Sequence, residues 1–434
     1  RPGGASVESK DSMRPWIGGA IHSARAAALL LWERWRSGVA YNPLSTHTAQ
    51  DPYPAYAALR TRNPVHRSQL MNAWVFTRHS DVDAILRDPR HFGNDPRKGT
   101  LSPRQQAMLP PPHEFSMLLL DPPHHTRLRA LVNKAFTPRR VNALEPRIRS
   151  IMGELLDQID DPAAFDLMPT VAQPLPVIVI AEMLGVPPED RTRFKVWSAQ
   201  RARMLEPTIS RRERAVADEA GRAFDAYFRS IIEHRRSAPR DDILSALVQA
   251  QDEGERLSER ETLNMLRLLL AAGNETTTNL IGNGVLALLQ HPDQLLRLRQ
   301  EPGLIPAAVE ELLRFDSPAQ TDFRRVLVDC EVNGHALRQR DNVVALIGAA
   351  NRDPDVFEDP DRLDVGRARN PHLAFGRGIH HCLGAPLARL EGRIALEMLL
   401  ERFSQISLGA GRARFRKSIV LRGLECLPVR CVEG

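Results

Sequence analysis

Cys382 has the most distinctive surroundings of any residue in this chain. It lies in Phe375-Gly-Arg-Gly-Ile-His-His-Cys-Leu-Gly384, and the helical run Ala385-Pro-Leu-Ala-Arg-Leu-Glu391 follows. Gly376 and Gly378 before the cysteine and Gly384 after it permit tight backbone turns close to a flat ligand. A cysteine at the start of a helix meets unpaired N–H groups and the positive end of the helix dipole, which favour a thiolate. A shielded thiolate suits iron. By itself, a cysteine ahead of a helix is more often a small buried hydrophobe, so the assignment rests on the whole pattern.

Three further groupings have types and spacings suited to chemistry. In Ala271-Ala-Gly-Asn-Glu-Thr-Thr-Thr278, Glu275 stands beside Thr276, an acid and an alcohol able to hold and pass protons. Within Asp121-Pro-Pro-His-His-Thr-Arg-Leu-Arg129, the spacing of His125 and Arg129 puts both on one helical face. Glu311 and Arg314 in Glu310-Glu-Leu-Leu-Arg314 also share a face. On a solvated surface that pair would contribute only about 0.2–0.5 kcal/mol.

Long elements are needed to bring these groups together. Ser258 and Glu261 form a capping box, and the helical pattern then continues until His291-Pro292 stops it. Such a helix is on the order of 50 Å long, enough to cross a protein. Its polar, glycine-containing middle is out of place beside Leu266, Leu268, Leu269 and Leu270, which marks a functional site within a buried helix. The region from Ala130 to Gln290 reads as helix after helix. Strand-like pieces occur early, at Ala73-Trp-Val-Phe-Thr77, and late, at Val326-Leu-Val and Asn342-Val-Val-Ala-Leu. No repeat or flexible linker divides the chain. The expectation is one large, mainly α domain with a small β portion from both ends.

Composition removes several function classes. The 434 residues are 42% hydrophobic and 26% charged, a globular balance. The four cysteines, Cys330, Cys382, Cys426 and Cys431, lack C-x-x-C spacing, which argues against a zinc framework or disulfide scaffold and for the cytoplasm. The net charge of +6 is scattered, without basic runs interleaved with aromatics, so nucleic acid is not expected. No stretch reaches the roughly 18–20 apolar residues that span a bilayer. Ala24 to Trp32 reads as an amphipathic surface helix, with peripheral membrane contact as the lesser alternative. Residues 1–45 form an N-terminal extension, its first dozen residues a flexible lead-in.

The ten-residue pattern around Cys382 resembles F-G-x-G-x-H-x-C-x-G, the haem-binding loop of the cytochromes P450, at every fixed position. The resemblance implies that Cys382 is the axial ligand of haem b, with Phe375 near the sulfur. Gly376, Gly378 and Gly384 would shape the loop, and His380 fills the fixed histidine position beside the cofactor. Ala272-Gly-Asn-Glu-Thr-Thr277 resembles the oxygen-activation segment, with Ala272 against the cofactor and Glu275 and Thr276 catalytic. The segment with His125 and Arg129 is similar to D-P-P-x-H-T-x-L-R, whose histidine and final arginine pair with the haem propionates. Arg324 and His372 match further propionate partners. Glu311 and Arg314 resemble a buried E-x-x-R core completed by Arg367, a structural triad. Ala350-Asn-Arg-Asp-Pro354 is a further match.

The implied fold is the mainly α cytochrome P450 fold, a single catalytic domain over residues 46–434 with a long central helix above the haem. The implied reaction inserts one atom of O2 into an organic substrate and releases the other as water. No G-x-G-x-x-G fingerprint for flavin or nicotinamide occurs, so electrons must come from a separate ferredoxin or flavodoxin. Arg127, Lys134, Arg139, Arg140 and Arg377 are expected on its docking face, and the enzyme is expected to be a monomer. The substrate pocket should draw on Phe92 to Leu120, Leu175 to Ile209, Leu269 to Thr276 and Pro318 to Phe323, which hold Met117 to Leu120, Trp197, Met204, Leu205 and Leu270 and point to an apolar small molecule of terpenoid, steroid, fatty acyl or polyketide type. Arg201, Arg203, Arg211 and Arg212 are expected in solvent, with contact to an anionic substrate or carrier protein as the lesser alternative. Two alternatives are a haem-thiolate peroxygenase and a non-enzymatic haem sensor. The first tends to carry Arg-Pro in place of Glu275-Thr276, and the second would need no proton relay.

Overall fold

A computed structural model describes residues 14–109, 112–206, 208–240, 242–252 and 254–434. The lead-in before Met13 lies outside them. The helix expected from the capping box runs Glu259–Gln290, 32 residues or about 48 Å. Ser258 Oγ accepts from the Glu261 N–H while the Glu261 carboxylate accepts from the Ser258 N–H. The helix continues unbroken through the polar segment, so Gly273 and the three threonines do not interrupt it.

This central helix owes its burial to what surrounds it. It packs against Pro174–Met183, Arg191–Ala202, Ile305–Phe315 and Ala385–Arg402. Leu263, Leu266, Leu270, Leu280, Ile281 and Leu288 join one large apolar core with Phe194, Phe224, Val309, Leu312, Ile394 and Leu399. Several buried polar side chains on the helix find individual partners. Asn274 Nδ2 donates to Ser198 Oγ at 2.9 Å, and Ser198 Oγ donates to the Leu270 carbonyl at 3.2 Å. Asn283 Nδ2 donates to the Arg422 carbonyl at 3.0 Å. A second capping box, Ser210 with Glu213, starts the 27-residue helix Arg211–Ser237.

The β portion is one five-stranded sheet with smaller ribbons. Its order is Val65–Ser68, Ala73–Phe76, Asn342–Ala345, Asp322–Val326, Phe92–Gly93. Ala73–Phe76 runs parallel to Asn342–Ala345 and the other pairs are antiparallel. The expected strand at Val326-Leu-Val is displaced: the strand occupies Asp322–Val326 and ends where that stretch begins. Val39 and Tyr41, within the extension, are buried with Tyr56, Leu59 and Val75. Among the described residues no helix is long and apolar enough to cross a membrane.

Candidate active site

The Cys382 loop is built from both ends. Gly376 N–H donates to the Leu373 carbonyl at 2.8 Å, and Cys382 N–H donates to the Phe375 carbonyl at 2.9 Å, closing the loop on itself. Gly376 and Gly378 have φ of +66° and +68°, the left-handed region that favours glycine. A Cβ on Gly378 would also lie 2.4 Å from the Leu86 carbonyl oxygen. Gly384 lies in the expected turn, but at φ −82°, which any residue adopts, and a Cβ there would meet the Cys382 sulfur at an ordinary 3.9 Å. Its N–H, with that of Ala385, donates to the Cys382 sulfur. Gly378→Ala should therefore cost roughly 1–3 kcal/mol and loosen the loop, whereas Gly384→Ala should melt near the wild type. Thermal melts of the two variants side by side check this.

Cys382 keeps accessible surface although protein closely surrounds its sulfur. Burial pushes the Cys382 thiol above its ordinary value; the Gly384 and Ala385 N–H groups and the charges of Arg129 and Arg389 oppose this without reversing it. The helix-start N–H groups favour the thiolate, as expected from position, against the opposing effect of burial. Coordination to a metal cation would supply the missing stabilisation.

Cationic and imidazole side chains from distant segments meet at this sulfur. His125 is 1% exposed, and neither of its ring nitrogens has a hydrogen-bond partner. Its ring lies against His380, centroids 4.1 Å apart. Burial and then the charges of His125, Arg324 and Arg129 hold His380 down at about 2, so its ring is neutral. Arg129 donates to Asn133 Oδ1 at 3.1 Å and, among the described residues, has no carboxylate partner. Arg324 and His372 meet acids of the protein itself. Arg324 is ion-paired to Asp322 and donates to the Phe323 carbonyl at 3.0 Å. His372 Nε2 lies 3.0 Å from Glu310 Oε2, and its Nδ1 accepts from the Ala374 N–H. Both have found acids within the protein, whereas His125 and Arg129 have not.

A second layer fixes the loop. Glu310 also takes a bidentate pair from Arg389 at 2.7 and 2.8 Å, and the Arg389 guanidinium lies 4.5 Å from the Phe375 ring centroid. Burial resists ionisation of Glu310, but its bonds from Arg389 and His372 prevail and hold it at about 2. Behind it, Glu311 and Arg314 are fully buried and joined at 2.7 and 2.9 Å. Arg367 Nε completes the triad at 3.1 and 3.2 Å from the Glu311 oxygens, as the resemblance implied and as a surface pair would not be. Arg314 reaches the Asn351 carbonyl at 2.9 Å, and Asn351 Oδ1 accepts from the Leu373 N–H at 2.7 Å, tying the triad to the start of the Cys382 loop.

Above lies the central helix. Between its buried residues Leu266 and Leu280, the partly open positions include Leu268, Leu269, Ala272, Gly273, Glu275 and Thr276. Leu268, Leu269, Ala272 and Thr276 fall on one helical face. Thr276 Oγ1 donates to the Ala272 carbonyl at 2.8 Å. Glu275 Oε2 is ion-paired at 2.8 Å to Arg416, which also donates to Asn279 Oδ1 at 3.2 Å. Arg416 was not legible beforehand, because it comes from the C-terminal ribbon and carries no motif.

Comparison with known proteins decides the family. The sequence pattern described as Cytochrome P450 matches residues 65–421. The chain is 41% identical over 403 residues to the polyketide biosynthesis cytochrome P450 PksS of Bacillus subtilis (strain 168), covering 90% of this chain and 98% of that one. It is 44% identical over 389 residues to a vitamin D(3) 25-hydroxylase of Pseudonocardia autotrophica, covering 88% and 94%. The crystal structure of CYP109E1 from Bacillus megaterium in complex with testosterone superposes with a TM-score of 0.79 at 38% identity, covering 88% and 99%.

The chain belongs to the cytochrome P450 family.

It is a P450 monooxygenase with the P450 fold, and its cofactor is haem b with a thiolate ligand. The site fits that group on chemistry visible here: an accessible sulfur, with a buried histidine and an arginine in the same cluster that, among the described residues, lack acid partners and could hold carboxylates. This P450 retains an acid and an alcohol at Glu275 and Thr276, the feature that sets it apart from the peroxygenase reading. Several expected pocket and surface assignments change. Trp197 is taken up by the core, 6.1 Å from Phe224 and 5.5 Å from Tyr227 between ring centroids. Leu118 is 37% exposed. Arg201 is half-buried near Asp218 and the Ala217 carbonyl, whereas Arg203, Arg211 and Arg212 are exposed as expected, Arg203 pairing with Glu213 at the surface.

Proposed function

We propose that this P450 inserts one oxygen atom from O2 into an apolar small molecule of polyketide, steroid, terpenoid or fatty acyl type. It would act as a cytoplasmic monomer, with electrons from a separate ferredoxin or flavodoxin. The observation that carries the reading is the open face of the central helix, where Leu268, Leu269 and Ala272 lead to Thr276. An apolar strip ending in a hydroxyl orients a water-poor substrate beside a proton donor. PksS, the vitamin D(3) 25-hydroxylase and the testosterone-bound structure have names that fit bulky, largely apolar skeletons.

The bound haem supplies the dioxygen-activating redox chemistry. His125 and Arg129 would hold its carboxylates, and Arg324 and His372 would join them while staying paired to Asp322 and Glu310. Ala272 lets the helix approach closely, and His380, kept neutral, adds no competing charge. Leu268 and Leu269 exclude water from the reaction space. Thr276 Oγ1, whose own hydrogen goes to the Ala272 carbonyl, would accept from a water on the open face and so hold the proton carrier there. Glu275 lies between this face and the half-exposed Arg416, so its carboxylate can pass protons from the surface to that water while Arg416 holds it in place. Thr276→Ala should lower product formed per electron consumed by about tenfold or more while electron uptake continues, the surplus appearing as peroxide. Measuring product, O2 and peroxide together tests this, and unchanged coupling would move the relay elsewhere.

For the redox partner, Arg139 and Arg140 are the exposed basic pair, on the segment Pro138–Asn142 that packs against Ala385–Arg402 behind the cysteine. Arg127 is ion-paired to Glu255 and Glu261, and Arg377 lies between Asp83 and the His372 carbonyl. Lys134 donates to the Gln251 carbonyl. Docking therefore centres on Arg139 and Arg140, where an acidic ferredoxin or flavodoxin would bind in a salt-sensitive manner.

A further inference from the structure

The helix Arg14–Ser37 is attached to the protein through an acid. Glu33, 1% exposed, accepts from the N–H groups of Gln69 (2.5 Å) and Leu70 (3.2 Å) and from Ser68 Oγ (3.2 Å). His66 Nε2 lies 3.2 Å from its other oxygen. At about 100° per residue, Ala26, Leu29 and Leu30, all partly buried, lie toward the same docked side. The opposite face of a helix on a solvated protein should be polar. Here it is apolar. Leu31 is 69% exposed, Trp32 39% and Trp35 83%, and Ala27 and Ala28 are exposed beside them. On a helical wheel these five residues fill an arc of about 140°, and the exposed Arg34 and Arg36 bound it on its two sides. The Arg36 guanidinium lies 5.1 Å from the Trp32 ring.

We propose that this face of the N-terminal helix docks the enzyme on an anionic lipid bilayer surface. Tryptophan is favoured at the boundary between acyl chains and headgroups, and flanking arginines extend their stems along the apolar layer while their charges meet lipid phosphates. The face is one convex helix surface, suited to a deformable planar layer. Glu33 fixes the helix rotation before binding, so the apolar arc is presented without a folding step. The chain's net charge of +6 adds attraction to a negative surface. Apolar substrates partition into that layer, a benefit that rests on the proposed function; the lipid contact itself does not.

The test uses the full-length, haem-loaded protein with vesicles of phosphatidylcholine alone or mixed with phosphatidylglycerol. Co-sedimentation with the mixed vesicles is expected, accompanied by a blue shift of tryptophan emission. The Trp32→Ser/Trp35→Ser variant should lower binding by about tenfold or more, and Arg34→Glu/Arg36→Glu should remove the preference for phosphatidylglycerol. All variants should keep the wild-type haem spectrum, so a failure to bind lipid is separate from any failure of the oxygenase reading. Equal binding by wild type and the tryptophan variant would overturn the proposal. So would concentration-dependent dimerisation through Trp35 with no retention on either vesicle.

Discussion

Cys382→Ala is expected to abolish both turnover and the red-shifted Soret band of the reduced carbon monoxide complex. The sulfur is the soft donor of its loop, and His380 beside it is taken up by packing against His125. The fold should survive. Alanine removes an acceptor for the Gly384 and Ala385 N–H groups, a loss of about 1–3 kcal/mol. His125, Arg129 and the Glu310–Arg389 pair remain, so a melt close to wild type with a lost band would localise the defect to ligation. Retention of the band in this variant would place the ligand elsewhere.

Glu311→Ala should leave little folded, haem-loaded protein. The substitution strands two arginines: Arg314, fully buried, and Arg367, mostly buried, both rely on the Glu311 carboxylate. Breaking a buried pair by removing one partner costs roughly 3–5 kcal/mol, a large part of a typical stability of about 5–15 kcal/mol. The Glu311 oxygens also accept from the Asp364 N–H and Asn370 Nδ2, so the segment leading to the Cys382 loop loses its anchor as well. Glu311→Gln keeps an acceptor and should fall between wild type and alanine. Soluble yield, thermal melting and haem content per chain measure the effect. A healthy yield of Glu311→Ala would mean that the carbonyl bonds of Arg314 suffice to hold the region.

The sequence announced elements where local chemistry was strong. The central helix could be bounded at Ser258 and His291 because a capping box and a proline-flanked stop are local signals, and the structure places it at Glu259–Gln290. The loop of Cys382 was legible for a similar reason: Gly376 and Gly378 are required by positive φ, which few other residues tolerate. Gly384 matched the same pattern but serves through its N–H, a role that residue type does not reveal. The strand Asp322–Val326 was placed too late because its centre is Arg324, 2% exposed, and a buried arginine erases the apolar alternation by which strands are recognised.

Side-chain partnerships across distant segments were the least legible part. Arg416 holds Glu275 from the C-terminal ribbon, and Glu310 holds both His372 and Arg389; neither link leaves a local signature. The pairing of Arg127 and Arg377 was hidden for the same reason, since both find acids that only the fold brings near. The N-terminal helix was readable as amphipathic, but not which face would be docked. That depended on Glu33, a charged residue whose burial against Ser68, Gln69 and Leu70 only the tertiary structure defines.

Thiolate ligation of haem by Cys382 is tested most directly by the absorption spectrum of the dithionite-reduced protein, recorded before and after carbon monoxide. A strongly red-shifted Soret band in the wild type, absent in Cys382→Ala, is the predicted result. An unshifted band typical of histidine-bound haem, or no bound haem at all, would contradict it.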